Sequence, residues 1–215
     1  MVEQKLPKLT TRVRFPSPAP IAAFVLLLWG CLAGVRADPV RFPIDHPFAL
    51  VDADDKPVGD QDFPGKFLLV YFGYTHCADQ CPTALSSIVE ALNEIGPAAN
   101  SVQPIFITVD PERDRGLMLR RFTAAFDPRI VGLTGSPEDV AAAAKALHTD
   151  FTKVFAGDDD YEIDHSANLT IIDPDRRMAE TVKLAEPYQI AAKLIEVAVK
   201  GGVALGDVNN LRAWR

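Results

Sequence analysis

Three features of the sequence predict an α/β domain with a central mixed β-sheet flanked by helices. Two continuous apolar runs of strand length, residues 66–72 (KFLLVYF) and 102–109 (VQPIFITV), read as strands buried on both faces. The stretches between and after such runs place apolar residues at helical spacing, and Gly or Pro marks most boundaries. The length of 215 residues suits one ordinary domain with a spare end, and 48% apolar residues suffice for a buried core.

The elements follow in order. Residues 48–51, a turn through Asp54-Asp55-Lys56 and then Pro57-Val58 read as an edge hairpin. The 66–72 strand ends at Gly73. Pro82 suits the first turn of a helix, along which Leu85, Ile88, Val89, Leu92 and Ile95 recur until Gly96-Pro97 stops it. After the second central strand comes a helix near 116–126, ending before Asp127-Pro128, and then a short strand at 130–133. Ser136-Pro137-Glu138-Asp139 supplies a capping Ser, a first-turn Pro and an acid three residues after the cap, opening an Ala-rich helix to about Leu147. Strands at 169–172 and 178–184 flank an Asp173-Pro174-Asp175 turn. Glu186-Pro187 opens a last helix that Gly201-Gly202 ends. Residues 206–215 read as a loose tail.

Charge is divided unevenly. The net charge is −7, yet residues 1–37 hold five basic residues and one acid, so the remaining 178 residues carry 17 basic against 28 acidic groups, a net −11. A domain this acidic lacks the clustered Lys and Arg that face phosphates, which excludes nucleic acid as a partner. The composition also argues against intrinsic disorder and against a disulfide-stapled miniprotein.

Residues 1–20 are basic, spotted with Pro and without apolar periodicity, and read as a disordered leader. Residues 21–35 (IAAFVLLLWGCLAGV) form an uncharged apolar run after a basic segment, closed by Arg36-Ala37-Asp38. This is the layout of an export signal, with the domain beginning at residue 38. The run is short of the roughly 18–20 residues that span a bilayer, but a membrane anchor over 21–37 stays open, with Trp29 at an interface. Either reading places the domain outside the cytosol. Cys31 belongs to that segment, and bulky Trp29 two residues before it suits a lipoprotein cleavage site poorly.

Two cysteines remain, Cys77 and Cys81, in the strand-to-helix junction YFGYTHCADQCPTAL. Unpaired N–H groups and the positive pole of a helix start stabilise anionic sulfur there, Cys77 most of all. The spacing permits either a disulfide across a short loop or two thiolates on one metal ion. Two thiolates and an imidazole form a soft, low-coordinate set that favours Cu(I), with Zn(II) as the competitor. Zinc sites usually close with four protein ligands, and no further Cys is available.

Four histidines compete for the third position. His46 lies in a loop and reads as a surface residue, His148 as a helix-end residue, and His76, beside Cys77, as a tuner of the loop. His165 follows an acidic loop and precedes the strand NLTIID; the pattern alone leaves it between a structural role and a ligand.

Three separated blocks, YFGYTHCADQCP, ITVDPERD (107–114) and DYEIDHSANLTIIDPD (160–175), together with FDPRIVGLTGSPEDV (126–140), resemble the Sco/SenC family of thioredoxin-fold copper proteins across roughly residues 40–200. The resemblance implies a thioredoxin-like fold over residues 38–205 and one copper ion, Cu(I) or Cu(II), held by Cys77, Cys81 and His165. It implies delivery of copper, or of reducing power, to the copper A site of cytochrome c oxidase. The partners would be the copper A subunit and other copper chaperones. The location would be the periplasm, soluble or tethered to the inner membrane through residues 21–35, or the mitochondrial inner membrane in a eukaryote. Asp79 and Asp110 match acids of the family motifs; Asp79 also reads as favouring the helix start and Asp110 as capping a turn. Ala78 stands where many members have Pro, and Arg115-Gly116 where they have Thr-Pro, so the next helix is expected to start differently.

Two mechanisms follow. The first is a metallochaperone, a carrier rather than a conventional enzyme. The second is a thiol–disulfide oxidoreductase in which Cys77 attacks a partner disulfide and Cys81 resolves the mixed disulfide. Thioredoxin-type oxidoreductases usually carry Cys-x-x-Cys and a Pro before the facing strand; here three residues separate the cysteines, and residues 157–169 contain no Pro. A peroxiredoxin-type peroxidase is unsupported, because no Pro precedes Cys77 at the required spacing.

Overall fold

The computed structural model describes residues 40–155, 161–183 and 186–200. The expected leader at 1–20, the signal or anchor at 21–37 and the tail at 206–215 lie outside the described residues. Among the described residues, no helix is long and apolar enough to cross a membrane.

Eight strands form one mixed sheet in the order β1 (Val40–Pro43), β10 (Met178–Lys183), β9 (Asn168–Ile172), β4 (Phe67–Gly73), β5 (Val102–Thr108), β6 (Val131–Thr134), β2 (Ala49–Asp52), β3 (Pro57–Gly59). β4, β5 and β6 run parallel, and the remaining pairs are antiparallel. The apolar run of β4 puts it at the centre: every residue from Phe67 to Gly73 is buried, with Val70 paired to Ile105 on one side and Thr170 on the other. The expected hairpin is β2–β3, and it does lie at an edge.

Among the described residues, four α-helices flank the sheet. α1 (Gln80–Glu94) buries Cys81, Ala84, Leu85, Ile88, Ala91 and Leu92, a stripe at 3.6-residue spacing, and packs against α4 (Pro187–Lys200). It ends where Gly96 takes φ +57°, the left-handed conformation that closes a helix without a Cβ penalty. α2 (Gly116–Phe126) lies on β6, with Leu119 and Thr123 against Gly132. α3 (Pro137–Ala146) begins as the sequence requires: Ser136 Oγ accepts from Asp139 N–H at 3.1 Å, and its hydroxyl donates to the Asp139 carboxylate at 2.6 Å.

Two features differ from the sequence reading. β1 pairs with β10 and adds a short edge strand before the hairpin. The stretch 151–165, for which the sequence reading gives only an acidic loop at 157–164, contains a second antiparallel pair, β7 (Phe151–Phe155) and β8 (Tyr161–His165), that forms its own two-stranded sheet. Its strands escape detection because they are mostly exposed and carry no apolar run; on β8 only Ile163 is buried. His165 closes β8 and, as expected, precedes β9.

The two ends of the sheet differ in character. At the start of β4, the buried Arg176 donates to the carbonyls of Asp60 (3.0 Å), Lys66 (2.8 Å), Asp173 (2.7 Å) and Phe63 (2.5 Å). At the other end Gly73 is fitted closely: a Cβ there would lie 2.9 Å from Cys81 Sγ, 2.9 Å from Phe106 Cε2 and 3.0 Å from Tyr71 Cε1. Gly73→Ala is therefore expected to lower stability by about 1–3 kcal/mol, the usual cost of overpacking, read as a lower urea midpoint at unchanged slope.

Candidate metal centre

The loop from Tyr74 to Asp79 carries the chain from β4 into α1. Cys77 N–H donates to the Tyr74 carbonyl at 3.3 Å, so a turn forms at once beyond the strand. Cys77 is partly exposed and Cys81 fully buried; both are free thiols. The helix begins at Gln80, and one of its unpaired first-turn N–H groups, that of Cys81, points at Cys77 Sγ at 3.4 Å. The helix-start donor expected beside Cys77 is thus in direct contact with its sulfur. Tyr71 O–H approaches Cys81 Sγ at 3.9 Å.

β8 brings in the imidazole. Its alternation turns Tyr161, Ile163 and His165 inward while Glu162 and Asp164 face solvent. His165 Nε2 lies 3.6 Å from Cys81 Sγ, and Nδ1 lies 3.3 Å from the Ser166 carbonyl. A carbonyl only accepts, so the proton sits on Nδ1 and the Nε2 lone pair faces the sulfur. The rings of Tyr71 and Tyr74 meet the imidazole edge-on, each at 6.1 Å between centroids. Burial pushes the His165 pKa down, against smaller opposing effects of Ser166 and Asp164, and keeps the ring neutral near pH 7. The donor atoms of Cys77, Cys81 and His165 all lie within 4.8 Å of one another. The three residues named from the sequence are thus assembled as one potential metal-ligand set.

The other expectations divide. His46 is exposed, 3.6 Å from Asp60; His148 lies beyond α3 with its ring 4.1 Å from that of Phe42; His76 contacts Thr75 Oγ1 at 3.2 Å and Asp114 at 3.7 Å. None joins the cluster. Asp79 occupies the N-cap position of α1, but its carboxylate makes no capping hydrogen bond; its backbone carbonyl serves Thr83 instead. With Gln80, Thr83, Ala167, Asn168 and Lys183 it lines a cleft of about 510 Å³ beside the site. Asp110 is buried, and its carboxylate is occupied by Arg113 Nε and by Tyr161 O–H at 2.8 Å.

Sequence reasoning missed Asp114 and Tyr161. Asp114 is fully buried and accepts from Thr75 N–H (2.7 Å), Thr75 O–H (2.6 Å) and Thr108 O–H (2.7 Å), which fixes the cysteine loop two residues before Cys77. The signals were present: a second Asp four residues after Asp110, and a Tyr in step with His165 along one strand face.

The sulfurs are chemically unequal. Burial pushes the Cys81 pKa up to about 12, and the neighbouring Cys77 adds to the rise. Cys81 therefore stays protonated at neutral pH until a soft metal or a base takes its proton. Iodoacetamide at pH 7.5 is expected to alkylate Cys77 well before Cys81, as resolved by peptide mass spectrometry. The Cys81 rate is expected to climb with each unit of pH up to about 12; comparable rates at pH 7.5 would contradict the asymmetry.

Comparison with known proteins gives the chain's relatives. The chain is 42% identical over 134 residues to the mouse Protein SCO2 homolog, mitochondrial, a match covering 60% of this chain and 51% of that protein. It is 37% identical over 133 residues to Arabidopsis thaliana Protein SCO1 homolog 1, mitochondrial, covering 61% of this chain and 40% of that one. The chain thus spans about half the length of the curated relatives it matches. Among solved structures, Bradyrhizobium japonicum ScoI with copper bound superposes with a TM-score of 0.63 at 38% identity, over 73% of this chain and 98% of that one. The family model described as SCO1/SenC matches residues 37–200, and the chain belongs to the SCO1/SenC family.

Proposed function

We propose that this chain binds one copper ion through Cys77 Sγ, Cys81 Sγ and His165 Nε2 and delivers it to the copper A site of cytochrome c oxidase, in the periplasm or the equivalent mitochondrial compartment. The observation that carries this reading is the convergence within 4.8 Å of two thiols and a neutral imidazole, the imidazole lying 84 residues beyond Cys81 in sequence. Two sulfurs and one nitrogen suit Cu(I), which accepts low coordination numbers, better than zinc in a closed four-ligand site. Copper-bound ScoI, a relative of similar fold, supports the choice of ion.

The residues divide the work. Cys81, buried between Tyr71 and Gly73, and His165, fixed by Ser166 and two tyrosine rings, hold the copper from beneath. Cys77, partly exposed, is the ligand that an incoming donor of the partner displaces first. Loading releases the thiol protons, so binding strengthens as pH rises. Residues 21–35 would serve as export signal or tether.

One observation favours a second reading, thiol–disulfide exchange: a partly exposed Cys77 backed by a buried Cys81. Cys77 thiolate would attack a partner disulfide and release one partner thiolate. Cys81, after yielding its proton to His165 Nε2, would then attack Cys77 Sγ and release the other. The chain would end oxidised by two electrons and the partner reduced by two.

The test is Cu(I) titration of the reduced domain against a competing chelator, beside His165→Ala. A stoichiometry near one, with affinity weakened by more than about tenfold in the variant, is expected; losing an outer-shell contact alone costs about that much. Absence of tight copper binding, or an unchanged variant, would overturn the chaperone reading. Reduction of an oxidised copper A domain by the copper-free protein, slowed in His165→Ala, would favour the exchange reading; equal rates for His165→Ala and the parent would remove His165 as the base in that step.

A further inference from the structure

We propose that Tyr161 is a positioning residue for His165: a clamp between its hydroxyl and Asp110 holds the β7–β8 hairpin at the angle that brings Nε2 to the thiols. This rests on the copper-binding reading above. The hairpin needs such a device because it is a sheet of its own, and among the described residues no ladder hydrogen bond joins it to the main sheet. Its base is tied where Ser166 N–H donates to the Asp150 carbonyl at 3.0 Å. Ile163 supplies a buried apolar anchor midway along β8.

Beyond Ile163, the attachment gathers on Tyr161. Its hydroxyl donates to Asp110 Oδ1 at 2.8 Å, and its carbonyl accepts from Arg113 Nη2 at 3.2 Å. The Arg113 guanidinium lies 3.8 Å from the ring centroid and Lys153 Nζ 4.6 Å from it, while Lys153 pairs with Glu112 at 2.7 Å. Every polar partner of Tyr161 outside the hairpin sits on residues 110–113. The next residue, Asp114, grips Thr75 in the cysteine loop. One five-residue segment therefore holds the thiol-bearing loop with its last residue and the imidazole-bearing hairpin with the others. Tyr161 and His165 point the same way on one strand, so a change at Tyr161 tilts the strand and moves the ring. It leaves the Cys77–Cys81 spacing, set by Asp114 and α1, in place.

The distinguishing variant is Tyr161→Phe, which keeps the ring, its stacked cations and its volume and removes only the hydroxyl. Cu(I) affinity is measured by chelator competition in a double-mutant cycle with His165→Ala, with urea midpoints recorded alongside. Tyr161→Phe is expected to weaken copper binding by about tenfold where His165 is present, the scale of one hydrogen bond to a charged group, and to have no effect in the His165→Ala background. Hydrogen exchange of the 161–165 amides in the copper-free protein is expected to speed up. No weakening with His165 present, or equal weakening in both backgrounds, would overturn the proposal, since a generally loosened domain affects both alike. If the parent binds no copper tightly, the chaperone reading falls, and the exchange measurement alone decides whether the clamp holds the hairpin.

Discussion

The site depends on one buried carboxylate. Asp114 is withdrawn from water, and an anion in that position is tolerated only when its lone pairs are filled. Thr75 fills two with its N–H and O–H and Thr108 fills a third. The cost of leaving the charge unmet is what makes the arrangement rigid, because Thr75 cannot move without stranding Asp114. Thr75 is two residues from Cys77, and Thr108 closes the central strand beside β4. The cysteine loop is thereby tied to the sheet from beneath and left open above. Main-chain bonds from Arg113 N–H and Asp114 N–H to the Asp110 carbonyl, at 3.1 and 2.9 Å, fold the segment into a single turn. Its two acids can then face different elements.

The rest of the site uses that fixed point. Gly73, the last residue of β4, lacks the side chain that would collide with Cys81, so the sulfur packs against the strand end. Burial then makes Cys81 a poor anion by itself, whereas Cys77 borrows the Cys81 N–H and keeps its access to solvent. The pair is therefore unequal before any partner arrives. The carrier role proposed above requires this inequality. With both thiols buried, an incoming donor could not reach the ion; with both exposed, nothing would hold the ion between encounters.

Legibility in the sequence followed burial. The central strands, all four helices and the edge hairpin were readable because each has a strong period or an unbroken apolar run with Gly or Pro at its ends. β1 and the β7–β8 pair were not, since short or exposed strands owe their conformation to a neighbour. Cys77 and Cys81 stood out through scarcity and placement. His165 did not: a lone His after an acidic loop is ambiguous, and its assignment needed the family resemblance. Asp114 and Tyr161 were hidden for a different reason. Their roles are tertiary, set by which loop each carboxylate and hydroxyl meets, and no local pattern encodes that.

The two ends of the sheet explain how such a site is sustained. At the far end Arg176 satisfies four carbonyls within one buried cluster, and the Glu180–Lys193 pair, 2.5 Å apart, joins β10 to α4. These contacts are internal, and none faces the cysteines. At the site end the corresponding polar groups hold segments that are themselves short of backbone pairing: a six-residue loop and a two-stranded hairpin. Elements of that kind open most easily, and the parts of a protein that must release a ligand are drawn from them. Were the hairpin hydrogen-bonded into the main sheet, His165 would be fixed as firmly as β4, and its surrender of an ion would require breaking a ladder. Holding it through side chains on residues 110–113 allows the imidazole to be placed accurately while the barrier to its withdrawal stays low.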